Sequence, residues 1–284
     1  MHLEGYLGGA TTIKNPHDRF FKGTFGEVAV TRDFLQNYLP QSLVDMGTLE
    51  PQKDSFIDDG LQESFSDLLF KTSINRQEGY VYFLFEHKST PSPIIAYQVL
   101  KYMVAIWGRE IEQSGATELS IIMPLVIYQG RASWNVGKAF SDLIREHGLL
   151  PGIVREYIPD FKYLLYDISG FSDEDIKGAV ITRIILAFMR DIRNRNIDIA
   201  ISSLKEATRH LSKLEDTKTG LKYFEMLLRY LGGARPDLGK SQYDVLVAEL
   251  KPIYPEGSEL AMGFFESVRQ EAMEEGKLEG KGEV

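Results

Sequence analysis

The chain has 284 residues, a formal net charge of −9 and no cysteine, and 43% of its residues are hydrophobic. This apolar content excludes wholesale disorder, and the lack of cysteine excludes disulfides, a thiol nucleophile and cysteine-ligated metal centres. The acidic balance counts against a protein that coats nucleic acid, and no apolar run reaches the ~20 residues that a membrane-spanning helix needs.

The N-terminal region predicts a flexible segment followed by a helix. Residues 1–13 are rich in glycine and have no periodicity. Thr24 and Glu27 have the spacing of a capping box, and the apolar residues after them recur near the helical period. This pattern predicts a helix that starts at the capping box and ends at Pro40.

An acidic segment and a hairpin come next. Residues 45–63 are acidic and rich in turn formers, so we expect turns there. Residues 64–71 and 80–88 are rich in aromatic and aliphatic side chains and are separated by a polar stretch at 75–79. This pattern predicts a β-hairpin.

The next elements alternate between helix and strand. Residues 94–113 predict a long helix that stops at Gly115, and the apolar run 119–128 predicts a buried strand. A helix over 133–147 and a strand within 157–168 follow.

Beyond residue 172 the strand patterns disappear. Helices are predicted over 176–193, 197–214 and 218–231, and Ser172 with Asp175 has the spacing of an N-cap. The order of elements predicts an α/β domain followed by a helical region.

Three residues at the ends of the hairpin strands carry the candidate chemistry. On a strand, residues two apart share a face, so Glu86 and Lys88 are expected to project together while His87 points away. Symmetric closure places Asp67 opposite Glu86, to within one residue, and such neighbours have Cβ atoms about 4.5–5.5 Å apart. Two carboxylates at that spacing suit Mg²⁺, which can activate a water, while Lys88 orients that water or stabilises charge on phosphorus.

These residues resemble a known signature. Asp67 followed by Glu86-x-Lys88 resembles the D…(E/D)xK signature of PD-(D/E)XK nucleases, and Gln98 with Tyr102 is similar to the QxxxY element of its RecB-like branch. Wider segments resemble the narrower Rpn family of recombination-promoting nucleases, also termed "putative transposase": residues 15–22, 33–40, 86–91, 124–130 with Trp134, and 159–164.

The resemblance implies a restriction-endonuclease-like α/β fold, with a mixed central sheet flanked by helices and an all-helical C-terminal region. It implies a metal-dependent DNA endonuclease that promotes recombination or mobile-element movement. Asp67 and Glu86 would hold Mg²⁺, with Mn²⁺ or Ca²⁺ as alternatives, Lys88 would assist catalysis, and Gln98 and Tyr102 would support the site. The implied division is a flexible segment at 1–13, a nuclease-like domain at 14–170, a helical region at 171–256, and a helix with a Glu/Gly/Lys-rich tail at 257–284.

Alternatives remain open for each residue. The Asp67, Glu86 and Lys88 set also fits a surface cross-strand salt bridge. Gln98 and Tyr102 also fit polar positions on a packed helix. Glu27 and Glu63 are further candidate metal ligands, although we prefer a helix cap as the role of Glu27 and a solvated acid in an acidic loop as that of Glu63.

Two classes of function follow from these observations. The first is a nuclease with DNA as its partner, for which a homodimer would suit cleavage of both strands. The second is a non-catalytic nuclease-fold module that binds or regulates a partner. No signal peptide is present, so a soluble, cytoplasmic protein with no membrane partner is expected. Residues 71–145 carry eight basic and six acidic side chains, so we expect weak, salt-sensitive affinity for DNA.

Overall fold

The computed structural model describes residues 15–40, 44–52 and 66–279. The predicted flexible segment 1–13, Glu63 and the last five residues of the tail lie outside these ranges. The chain divides into two compact units, Phe21–Arg193 and Met1–Phe20 with Asn194–Val284. The domain boundaries expected from the sequence stay predictions.

A mixed sheet forms the centre of the Phe21–Arg193 unit. In its described part the strands are β1 (Val44–Pro51), β2 (Ser66–Ile74), β3 (Gln77–Glu86), β4 (Ile121–Tyr128) and β5 (Leu164–Asp167), in that spatial order. The pairs β1–β2 and β2–β3 are antiparallel, and the pairs β3–β4 and β4–β5 are parallel. This arrangement confirms the mixed sheet and the hairpin expected from the sequence.

The helices of this unit flank the sheet. They are α2 (Val28–Tyr38), α3 (Ile95–Ser114), the short α4 (Gly152–Arg155) and α5 (Val180–Asp191); α1 (Pro16–Phe25) contributes its residues from Phe21 onward. The predicted long helix and its stop are confirmed by α3, because Gly115 adopts φ 65° and its N–H donates to the carbonyl of Ile111 at 2.8 Å.

Alternation along the strands gives the sheet two different faces. One, which we call the phenylalanine face, carries Phe70, Phe83 and Phe85, against which Phe21, Phe25 and Phe34 of α1 and α2 pack. The other, which we call the carboxylate face, is covered by α3. It carries Asp67, Tyr82, Leu84, Glu86 and Tyr128.

The predicted capping box is wrong. Thr24 lies in the last turn of α1, where its hydroxyl donates to the carbonyl of Phe21 at 3.3 Å. Glu27 is the N-cap residue of α2, but its side chain makes no capping hydrogen bond. The two helices separate at Gly26, where a Cβ atom would lie 2.4 Å from the carbonyl oxygen of Lys22. The turn therefore depends on this glycine, and the end of α2 before Pro40 is as predicted.

Residues 45–51 form a strand where turns were expected. The turn signals are real, because the Asp45 carboxylate accepts from the N–H of Gly47 at 2.9 Å. They produce an irregularity in the pairing of β1 with β2 between Asp45 and Glu50. Pairing with β2 thus overrides a local preference for a turn.

The predicted helix over 133–147 is also wrong. Ala139 forms a β-bridge with Lys162, and short 3₁₀ turns follow at Phe140–Leu143 and His147–Leu149. Asp142 accepts a hydrogen bond from the N–H of Ala139 at 2.9 Å, which replaces a helical bond. The strand expected within 157–168 is reduced to β5.

In its described residues from 194 onward, the second unit consists of helices and the turns that connect them. Its helices are α6 (Ile197–Leu211), α7 (Thr217–Ala234), α8 (Lys240–Leu250) and α9 (Pro255–Glu279). Asn196 and Asp216 cap α6 and α7 with their side chains. Ser172 and Asp175 hydrogen-bond to each other in a turn, and α5 begins later, at Val180. No helix in the described ranges is long and apolar enough to cross a membrane.

Candidate active site

The candidate residues collect at one edge of the sheet. Glu86 is the last residue of β3, and Asp67 is the second residue of the antiparallel β2, so both lie where β3 ends. The chain then runs through residues 87–94 into α3, which carries Gln98 in its first turn. In sheets with parallel strands, ligands commonly bind at the carboxyl ends of those strands.

The hairpin register differs from the prediction. Asp67 pairs with Leu84, two residues before the expected partner Glu86. The cause is a tight turn centred on Asn75 and Arg76, which adopt φ 50° and φ 66°. The displacement is an even number of residues, so Asp67 and Glu86 still share the carboxylate face as diagonal neighbours. Such neighbours have Cα atoms about 7–8 Å apart.

Asp67 lies under α3 beside two tyrosines. The residue is 6% exposed, and the rings of Tyr82 and Tyr102 pack with centroids 5.2 Å apart. Burial, together with the nearby negative charge of Asp67, raises the pKa of both tyrosines well above the ordinary value. Both hydroxyls therefore stay protonated beside the carboxylate at neutral pH.

Glu86 is almost completely buried, with 1% of the residue exposed. One carboxylate oxygen, Oε1, accepts from the backbone N–H of Lys88 at 3.0 Å. The other, Oε2, is buried and has no hydrogen-bond partner among the described residues. A buried carboxylate oxygen without a donor is costly, and a cation would relieve that cost.

Lys88 lies in the loop after β3 and is exposed. Because β3 ends at Glu86, the alternation of side chains along the strand does not determine the direction of the Lys88 side chain. The loop sets that direction instead. His87 does point away from the carboxylate face as expected, because its ring stacks on that of Phe85 at 5.6 Å.

The two predicted supporting residues differ in their surroundings. Tyr102 is buried and reaches Asp67 as described above. Gln98 is half-buried, and its amide oxygen is buried without a hydrogen-bond partner in the described ranges. Both residues belong to α3, one helical turn apart, and their role in catalysis stays a prediction.

Sequence reasoning missed three residues at this edge. Tyr128 pairs with Glu86 on one side and with Asp167 on the other. Burial, followed by the charges of Asp167 and Glu86, raises the pKa of Tyr128, whereas Arg193 lowers it. Arg193 also donates to the carbonyl of His87 at 2.5 Å. The strand order would have identified the first two residues, but no sequence signal identifies Arg193.

Within the part of the chain that the structure describes, the other candidate ligands do not complete a larger cluster. Among the described residues, no group of three or more histidines, aspartates and glutamates could hold a metal ion, so Glu27 does not join Asp67 and Glu86 in one. Glu63 is outside those residues. Gln129 is fully buried, and its amide donates to the carbonyl of Met189.

Comparison with known proteins gives consistent matches. Residues 15–222 match a family described as "putative transposase, YhgA-like". The chain is 30% identical over 186 residues to "Recombination-promoting nuclease RpnA" of Escherichia coli K12, which covers 64% of this chain and 62% of that protein. It is 26% identical over 193 residues to "Recombination-promoting nuclease RpnC" of the same organism, which covers 66% of this chain and 62% of that protein.

A third relative carries a different name. "Inactive recombination-promoting nuclease-like protein RpnE" of Escherichia coli K12 is 27% identical over 195 residues, with 66% of this chain and 62% of that protein covered. The chain therefore spans less than two thirds of the length of each of these relatives. No solved structure matches the chain.

Proposed function

The chain belongs to the family described as "putative transposase, YhgA-like", and we propose that it is a metal-dependent DNA endonuclease that promotes DNA recombination. The names of its relatives RpnA and RpnC support the recombination-promoting nuclease activity. The observation that carries the proposal is the pair of buried carboxylates, Asp67 and Glu86, on one face at the end of adjacent strands.

The residues at this edge fit a hard divalent cation. Asp67 and Glu86 offer only oxygen donors, and Oε2 of Glu86 has no hydrogen-bond partner among the described residues. Mg²⁺ is commonly held by one or two carboxylates and keeps several waters, so two protein ligands are sufficient. When bound, such an ion supplies an activated water and stabilises charge on a phosphodiester.

The surrounding residues would orient these two ligands. The backbone N–H of Lys88 holds Oε1 of Glu86 at 3.0 Å, which leaves Oε2 free to face a cation. Tyr82 and Tyr102 lie beside Asp67, and the burial that raises their pKa values keeps both hydroxyls protonated even in alkaline solution. The exposed ammonium of Lys88 would orient water or stabilise the developing negative charge on the phosphate.

The test is cleavage of a supercoiled plasmid by purified protein with Mg²⁺. We expect Asp67→Asn and Glu86→Gln to lower the rate by a factor of at least ~10², because each removes a charged ligand while preserving shape. The matched control is Glu78→Gln, a carboxylate near the turn at the opposite end of the same hairpin. Equal cleavage by all four proteins would show that the activity belongs to another site or to a contaminant.

The alternative is a non-catalytic module, which the name of the inactive relative favours. Calorimetric titration with Mn²⁺ or Mg²⁺ separates the two functions, because only the nuclease requires binding that Asp67→Asn and Glu86→Gln abolish. Absence of such binding, together with absence of cleavage, would favour the module.

A further inference from the structure

Two loops leave the sheet side by side at the candidate site. One follows β3 and carries Lys88, and the other follows β4. The parallel pairing continues beyond the strands, because the N–H of Gln129 donates to the carbonyl of Glu86 at 2.9 Å. The N–H groups of Arg131 and Ala132 then both donate to the carbonyl of Ser89, at 3.2 and 2.9 Å. The backbone of Arg131 is therefore fixed beside the loop that carries Lys88.

Tyr128 holds the loop after β4 in place. Its hydroxyl donates to the carbonyl of Ala132 at 2.7 Å. The chain passes so closely over this ring that a Cβ atom on Gly130 would lie 1.8 Å from the hydroxyl oxygen. The N–H of Gly130 donates to the Ser169 hydroxyl at 3.0 Å. These contacts fix the path of the backbone into Arg131.

The side chain of Arg131 is exposed, and no carboxylate pairs with it among the described residues. A guanidinium at such a position suits a phosphate, because its planar donors bind two oxygens at once. Electrostatics also favours a positively charged side chain at this position. Asp67 and Glu86 place two negative charges at the edge that a polyanion must approach, and a fixed positive charge would offset their repulsion.

We propose that Arg131 binds a backbone phosphate of the DNA substrate beside the candidate site. This inference rests on the proposed function and adds to it the residue that holds the DNA strand. We expect Arg131 to contribute equally to binding of the ground state and the transition state, because it would hold a phosphate other than the one that reacts. Lys88, one residue before Ser89, lies in the neighbouring loop, where its proposed role is at the reacting phosphate.

The test is the salt dependence of binding to a fluorescent duplex oligonucleotide, measured by anisotropy in EDTA so that no cleavage occurs. Removing one phosphate contact lowers the slope of log affinity against log salt by about 0.9. We expect this loss for Arg131→Gln, with a roughly five- to tenfold loss of affinity, and a slope near the wild-type value for Arg131→Lys. With Mg²⁺, Arg131→Gln should raise KM and leave kcat unchanged.

The matched control is Arg76→Gln, which removes the same charge at an exposed position in the hairpin turn. The strand β3 begins directly after this turn and Glu86 is its tenth residue, so the two lie about 30 Å apart at 3.3 Å per residue. We expect a wild-type slope for this variant.

Two results would overturn the inference while leaving the nuclease intact: a wild-type slope for Arg131→Gln in a protein that cleaves DNA, or equal losses for Arg131→Gln and Arg76→Gln. A wild-type protein that neither binds nor cleaves DNA would instead overturn the proposed function, and this inference with it.

Discussion

The two faces of the central sheet are built from the same strands and bury different kinds of side chain. On the phenylalanine face, Phe83 and Phe85 of β3 contact further phenylalanines from α1 and α2. On the carboxylate face, their neighbours Tyr82 and Glu86 bring a hydroxyl and a carboxylate into an equally buried environment. One strand thus supplies an apolar core on one side and buried polar chemistry on the other.

We infer from this difference that the phenylalanine face contributes most to stability and that the carboxylate face carries the proposed function. Stacked and edge-on aromatic rings stabilise a fold without any polar group to satisfy. Buried carboxylates reduce stability unless they are paired, and they are retained where function requires them. The faces should therefore respond in opposite ways to substitution.

The largest effect is expected on the phenylalanine face. Phe83→Ala removes a fully buried ring that lies within 6.4 Å of the rings of Phe25, Phe34 and Phe70. We expect the free energy of unfolding to fall by about 3–5 kcal/mol, from lost burial and from the cavity left behind. Urea denaturation followed by circular dichroism measures this change. A loss below about 1 kcal/mol would contradict the assignment of stability to this face.

The next effect concerns the carboxylate face and its proposed metal. A ligand that binds only the folded state stabilises it by about 2.7 kcal/mol at a concentration 100 times its dissociation constant. Mg²⁺ should therefore raise the unfolding free energy of the wild type and leave that of Glu86→Gln unchanged. Without metal, Glu86→Gln should be at least as stable as the wild type, because it removes a buried charge.

Denaturant titrations with EDTA and with Mg²⁺ provide the comparison, and Glu78→Gln serves as the control. Equal stabilisation of Glu86→Gln and the wild type by Mg²⁺ would place the ion elsewhere on the protein.

The sequence predicted only part of the fold that produces these two faces. Composition and periodicity identified the hairpin, α3 and β4, because each combines a strong apolar pattern with a clear stop such as Gly115. They did not identify β1 or the loop over 133–147, where pairing with β2 and the bridge from Ala139 to Lys162 override local preferences. Local patterns cannot report such long-range pairings.

The candidate site shows the same limit. The hairpin pattern predicted that Asp67 and Glu86 share one face of the sheet. The register, however, depended on which two residues form the turn, Asn75 and Arg76. Tyr128 comes from a strand whose place beside β3 requires the sheet order. Arg193 lies after α5 and reaches the site only through the tertiary fold.

A third effect is pH-dependent and belongs to the carboxylate face. Burial raises the folded-state pKa of Tyr82 above its ordinary value of 10.0. Above pH 10 the unfolded chain loses this proton while the folded chain keeps it, so stability falls with rising pH, by about 1.4 kcal/mol per unit for one proton. Tyr82→Phe should make the fall of the unfolding free energy with pH less steep by about 1.4 kcal/mol per pH unit, which corresponds to one proton.

Denaturant titrations between pH 10 and 11.5 measure the slope. Tyr97→Phe, an exposed tyrosine of α3, is the matched control and should keep the wild-type slope. The same slope in all three proteins would mean that Tyr82 is not protected from solvent.

The smallest effect tests the edge where the carboxylate face meets its loops. Tyr128→Phe removes the hydrogen bond from the hydroxyl to the carbonyl of Ala132 and preserves the buried ring. One such bond contributes about 0.5–1.5 kcal/mol, so stability should fall only slightly. DNA affinity should fall as well, because the backbone that positions Arg131 is released.

Phe140→Leu, on the same side of the sheet and half-buried, is a packing control that should leave DNA affinity unchanged. Loss of stability without loss of affinity would show that Tyr128 supports only the fold, as the phenylalanine face does.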